Sequence, residues 1–300
     1  MVERVSFEDQ ISANKLKSVF LMVIIFVCFL ILGVVISYVV DPSYFYVIMI
    51  FSIIFSLGYI LFSYYNSDKI ALASVKAKPA NRNLHAKFFH AAESMALASG
   101  LPMPRLFVMH SDQINAFASG RNPEKAIICA TDGCLAKLDK QELEGVIAHE
   151  MGHVANYDIR FMTLVAVSVG LISILAEIFL RNLWFSSGSE DRGKGGSVLI
   201  ILGIVFAILA PLFAQIVSLA ISRKREFTAD ATAVKFTRYP TGLARALKKI
   251  KHDHTSEQDK HRYSKAVAPL FISDPFKKKI QNIFSTHPNV DERIRRLESM

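Results

Sequence analysis

Apolar and polar positions fall into blocks along this chain. Ser18 to Val40 and Tyr44 to Tyr64 are apolar runs long enough to cross a hydrocarbon core, joined only by Asp41-Pro42-Ser43. They predict a transmembrane hairpin, the first run being too long and too uncut for a signal peptide. Phe161 to Leu180 and Val198 to Ile221 form a second apolar pair, separated by a Gly/Ser-rich polar loop from Phe185 to Ser197. Pro211 predicts a kink in the fourth run, and Glu177 lies near the end of the third, at the interface or as a buried acid. Between the pairs, from about 66 to 158, the pattern is that of a soluble domain. A helix near His85 to Ser99 ends at Gly100, and strand-like runs follow at Arg105 to His110, Ile114 to Ala118 and Ala126 to Ala130. Helical periodicity then returns: Asp139 and Glu142 have capping-box spacing, and Leu143, Val146, Ile147 and Val154 form an apolar stripe, predicting a helix buried on one side. After the fourth run come a helix from Tyr239-Pro240-Thr241 through Ile250, a polar stretch from His252 to Lys265, and a turn at Ser285-Thr286-His287-Pro288 entering a basic helix from Asp291 to Leu297.

Composition makes the membrane reading firmer. Hydrophobic residues are 52% of the 300, too many for an ordinary soluble protein. The formal charge of +9 sits beside the apolar runs, where anionic lipid head groups are the partner rather than nucleic acid. Lys15 and Lys17 precede the first run, Lys69, Lys76, Lys78 and Arg82 follow the second, and Arg223, Lys224 and Arg225 follow the fourth. The positive-inside rule places both termini and the soluble domain in the cytoplasm, with Arg181, Arg192 and Lys194 in the outer loop running against it. The organisation is a hairpin at 1–65, a first part of the soluble domain at 66–160, a second membrane pair at 161–221 and a second part of that domain at 222–300. Cys28, Cys129 and Cys134 fit no metal pattern and demand no oxidising compartment.

The chemistry lies in the helix after Asp139. His149-Glu150-Met-Gly-His153 is an HExxH pattern, and positions i and i+4 stand one above the other on a helix, so two imidazoles can face one metal ion. Zinc suits two neutral imidazoles. Glu150 lies about 100° round the helix, placed to act as a general base on water without ligating the metal. Beyond the fourth run, Glu226-Phe-Thr-Ala-Asp230 is a second i, i+4 pair. Glu226 is the candidate third ligand, and Asp230 the candidate acceptor for the other ring N–H of a ligand histidine; a solvated acidic face offsetting the basic cluster is the alternative. His252, His254 and His261 read as a solvated loop. Asn115-Ala116-Phe117-Ala118 is the candidate edge strand for an extended peptide substrate, an ordinary hairpin strand being equally compatible with the residues. His287 and Arg293 are candidates to stabilise an oxyanion if the C-terminal turn folds back over the site.

These motifs, in this order, resemble the HtpX family of membrane-integrated zinc endopeptidases, gluzincin-type enzymes related to the prenyl-protein peptidases of the eukaryotic endoplasmic reticulum. The resemblance runs through the hairpin, Asn115-Ala-Phe-Ala, His149-Glu-x-x-His153, Ser222-Arg-x-x-Glu226-Phe-x-Ala-Asp230, and Ser285-Thr-His-Pro288 with Arg293-Ile294. It implies an α+β zincin-like protease domain, mostly helical with a small sheet, combined with four transmembrane helices. It further implies one zinc ion held by His149, His153 and Glu226, with Glu150 as base. The implied setting is a bacterial cytoplasmic (inner) membrane, with stress-response and quality-control work on unfolded or misassembled membrane proteins, alongside other membrane quality-control proteases. Two rivals stay open at this point: a processing peptidase of narrow specificity, and a membrane adaptor with structural zinc. The adaptor reading needs a fourth ligand, and only three convincing ones appear.

Overall fold

The structure, a computed structural model, describes residues 7–40, 42–166, 203, 223–253, 270–272 and 289–300. Most of the third apolar run with Glu177, the polar loop, the fourth run with Pro211 (Gly203 apart), and His254, His261 and His287 lie outside the described residues.

Among the described residues, two helices are long and apolar enough to cross a membrane. They span Ile11–Tyr38 and Pro42–Tyr65, within helix α1 (Phe7–Val40) and across a short 3-10 turn into α2 (Phe45–Tyr65). Phe29 of α1 packs edge-on against Phe55 and Tyr59 of α2. The helix begins well before the apolar run expected from Ser18. Asn14, ahead of the run, and Ser18, at its start, are buried polar residues, and Asn14 bonds to the main chain of Asn156 and to Asp158 of the following domain.

That domain opens with α3 (Ser67–Ser74) and α4 (Ala86–Ser99), which stops at Gly100 in the left-handed conformation with φ 70°. Its sheet contains β1 (Lys78–Pro79), β2 (Arg105–Met109), β3 (Ala116–Ser119) and β4 (Ile127–Thr131), in the spatial order β1-β2-β4-β3. β2 and β4 are parallel, and β1 and β3 run antiparallel to their neighbours. Alternation divides the sheet. Ala116, Ala118, Ile128 and Ala130 join the core formed with α4 and the helix that carries His149 and His153, while Phe117, Ile127 and Cys129 pack towards Ala71, Leu72 and Phe271.

After α5 (Asp132–Lys137), helix α6 (Lys140–Ala155) runs through the middle of the domain. It is buried all round from Gly145 to Ala155, not on one side as its apolar stripe predicted. The helices Arg223–Thr237 and Pro240–His252, α4 and β3 all pack on it. Gly145 makes one contact possible: a Cβ there would lie 2.6 Å from the main-chain nitrogen of Leu243. The chain ends in a helix at Val290–Glu298, capped by Asn289.

Candidate metal centre

The capping box at the start of α6 forms as its spacing predicted. Asp139 accepts a hydrogen bond from the main-chain nitrogen of Glu142 at 2.9 Å, and Glu142 accepts one from that of Asp139 at 2.8 Å. Three turns on, the helix carries His149, Glu150 and His153 into the interior. Polar groups at such depth need partners.

Each histidine has one through Nδ1. His149 meets Oδ1 of Asp230 at 2.9 Å, and His153 meets Oδ2 of Asp158 at 3.1 Å. Both Nε2 atoms therefore turn to the same side, where the Glu226 carboxylate waits: Nε2 of His149 is 3.6 Å from Oε2, and Nε2 of His153 is 3.6 Å from Oε1. These separations are too long for hydrogen bonds. They match the edge of a tetrahedron, since two ligand atoms each about 2.1 Å from one zinc ion lie roughly 3.4 Å apart. All three ligand atoms fall within 4.8 Å of one another, the one such cluster among the described residues. Two neutral imidazoles and a carboxylate, with Nδ1 fixed on acids, are a donor set that fits zinc.

The two imidazoles have opposite protonation tendencies. Burial, and then the charge of Arg293, lower the pKa of His149. The guanidinium lies against that ring, Nη2 being 3.3 Å from Nδ1 and 3.4 Å from Nε2, so it meets the ring face rather than a lone pair. At His153 burial lowers the pKa, but the Asp158 hydrogen bond and the charges of Glu226, Asp158 and Glu150 outweigh that and push it up to about 9.

Arg293 is itself wholly buried. Nε and Nη2 form a fork on Asp230 at 2.9 and 2.7 Å, and Nη1 is 3.1 Å from Oε2 of Glu226. Beside this guanidinium, and despite burial, the Asp230 carboxyl is held well below the usual range. The expected oxyanion role for Arg293 does not match this placement, because its donors are directed at carboxylates rather than at an open position.

Glu150 lies on the other flank. Burial pushes it up to about 7, against a main-chain hydrogen bond at Ala118. Its Oε1 is buried with no hydrogen-bond partner among the described residues. An orphaned carboxylate oxygen at this depth is costly, and it marks where a water or substrate group belongs.

β3 is the terminal strand of the sheet, but it is not the exposed edge expected of Asn115 to Ala118. All four residues are buried. The ladder turns Phe117 towards β4, which leaves the main-chain groups of Ala116 and Ala118 on the outer side. There the carbonyl of Ala116 accepts a hydrogen bond from the nitrogen of Ile272 at 2.9 Å, and Phe271 packs edge-on against Phe117. Cys129 and Cys134 are buried free thiols whose pKa values burial raises, so they are inert.

Residues 79–300 match peptidase family M48. The chain belongs to that family. It is 44% identical to a protease HtpX homolog of Caldanaerobacter subterraneus over 84% of each chain. It is 39% identical to one of Dictyoglomus thermophilum, over 98% of this chain and 95% of that one. Among solved structures, Ste24p of S. mikatae superposes with a TM-score of 0.48 at 21% identity, covering 95% of this chain and 65% of that one. This M48 peptidase is therefore a metalloendopeptidase of the membrane, and the convergent His149, His153 and Glu226 are possible ligands for its metal.

Two polar residues of the centre escaped the sequence reading. Asp158 was visible as an acid just before an apolar run, but its bond to His153 depends on the turn at Tyr157, a left-handed residue with φ 58°. Asn14 had no signal at all.

Proposed function

We propose that this M48 peptidase cuts peptide bonds of misfolded or damaged membrane proteins at the cytoplasmic face of a bacterial membrane, with His149, His153 and Glu226 as zinc ligands and Glu150 as the base. The observation that carries the reading is the convergence of two Nε2 atoms on the Glu226 carboxylate, 3.6 Å each, beside a buried glutamate with an unpartnered oxygen.

Zinc held there supplies a Lewis acid that polarises a peptide carbonyl and acidifies water. Glu150, poised near 7 by burial, takes a proton from the attacking water as its oxygen bonds to the carbonyl carbon. It delivers that proton to the amine nitrogen as the C–N bond breaks. Asp230 and Asp158 hold the imidazoles in the tautomer that directs Nε2 inwards, and Arg293 fixes Asp230 and Glu226 in turn. Substrate pairing along the outer side of β3 would exchange the Ile272 N–H that the Ala116 carbonyl now accepts for a main-chain N–H of the extended substrate. The cytoplasmic orientation rests on the Lys and Arg flanks of the apolar runs.

The test compares the wild type with Glu150→Gln, both purified with chelator and reloaded with zinc, on an unfolded membrane protein. Equal zinc in both, with cleavage by the wild type alone, is the expected result. Zinc in both and cleavage by neither overturns the quality-control reading.

A further inference from the structure

Helix α1 enters the metal centre through one amide. Asn14 is buried, and its Nδ2 donates to Oδ1 of Asp158 at 2.7 Å and to the main-chain carbonyl of Asn156 at 3.0 Å. An amide NH2 has two donors, so both are used. The other oxygen of Asp158 is the one at Nδ1 of His153. A continuous relay thus leads from a membrane-crossing helix to an imidazole, with one carboxylate between.

The surroundings hold this relay in place. Nζ of Lys15 sits 4.5 Å over the ring of Tyr157, the residue whose left-handed backbone turns Asp158 back towards His153. Ser18 bonds the carbonyl of Asn14 at 2.9 Å. One turn further along, Leu21, Ile25 and Cys28 cluster with Phe161, Leu164 and Val165, which seats α1 against residues 158–166. Asp158 also interacts with the charge of Arg225, itself stacked 4.9 Å over Phe161. The carboxylate therefore has charge compensation from elsewhere, and what the amide adds is direction.

We propose that Asn14 is a positioning residue of the metal centre: by fixing Oδ1 of Asp158 it sets the orientation of His153, so that the membrane helix contributes to zinc affinity. This rests on the reading of His153 as a ligand. Asn14 lies outside residues 79–300, the part matched to the peptidase family, so the relay ties the family's domain to the helical hairpin that precedes it.

The rival is that Asn14 only fastens the 156–158 turn to α1. Zinc affinity and the visible spectrum of the cobalt-substituted protein separate the two, because fastening alone changes melting temperature and neither of these. The full chain is measured in detergent as wild type, Asn14→Leu, Asp158→Ala, the double variant, His153→Ala, and Ser37→Ala as a control in the same helix. Losing a group that orients a ligand typically weakens metal binding by about 10- to 100-fold, and Asn14, one bond further out, is expected to cost about 3- to 10-fold. Expected are that weakening in Asn14→Leu, shifted cobalt bands, no further weakening when Asn14→Leu is added to Asp158→Ala, and no change in Ser37→Ala. Should Asn14→Leu not accumulate, Asn14→Ala is read in the same way. A lower melting temperature with unchanged zinc affinity and cobalt spectrum overturns the proposal, as does full weakening that persists beside Asp158→Ala. If His153→Ala keeps its zinc, the ligand reading itself fails; if His153→Ala loses zinc while Asn14→Leu does not loosen it, only the relay fails.

Discussion

Arg293 grips Asp230 through two parallel hydrogen bonds, and the Asp230 oxygen nearest Nη2 is the one that meets His149. The fork geometry matters as much as the charge, because lysine offers a point charge on a flexible stem. Arg293→Lys is therefore expected to weaken zinc binding about 10- to 100-fold. Competition with a calibrated chelator checks this, and an unchanged affinity would sink the idea. Arg293→Ala leaves two buried carboxylates without their cation and is expected to destabilise the fold by about 3 to 5 kcal/mol, read from denaturant unfolding.

Metal uptake by the chelator-stripped protein should release a proton. His153 stands near 9 in the folded chain, so at pH 7 to 8 it carries a proton that a metal must displace. His149, lowered by burial and Arg293, carries none. Affinity should climb about tenfold per pH unit up to roughly 9 and then level. Calorimetry at pH 8 in two buffers of different ionisation enthalpy should count close to one proton; a count of zero refutes the assignment. The folded pKa exceeds the unfolded one, so the same group stabilises the stripped fold fully below about 6.5 and ceases to do so as pH rises through 9.

Gly145→Ala tests how closely α6 and the Pro240–His252 helix must approach. The added carbon would meet the backbone of Leu243 at 2.6 Å, and backbone does not yield as a side chain does. Overpacking of this kind costs about 1 to 3 kcal/mol. A Cβ on Gly242 would likewise meet the carbonyl of Gln141 at 2.6 Å, so the double substitution should cost less than the sum of the two singles. Thermal unfolding measures both, and full additivity would show that the two glycines act at separate contacts.

What could be read in advance was what local spacing encodes. The capping box of Asp139 and Glu142, the left-handed stop at Gly100 and the i, i+4 imidazoles each depend on neighbours within a turn or two. The three strand runs were legible from their apolar content, within a residue or two of β2, β3 and β4. Asn14 was not, because its partners stand 142 and 144 positions away and an asparagine before an apolar helix looks like solvated flank. The burial of β3 was hidden for a similar reason: residues 271 and 272, which pack against it, arrive from the far side of the chain. The charge of Arg293 suggests an oxyanion role from the sequence, but only its neighbours reveal that it faces carboxylates.

The position of that arginine also bears on when the enzyme can act during its own synthesis. Arg293 is made about 140 residues after His149. At about 5 to 20 residues per second, roughly 7 to 29 s of translation separate them. Through that interval the nascent chain displays the HExxH helix without the guanidinium that fixes Asp230 and Glu226, and for much of it without Glu226 itself. The full set of groups around His149 thus comes together late, well after the hairpin has been made.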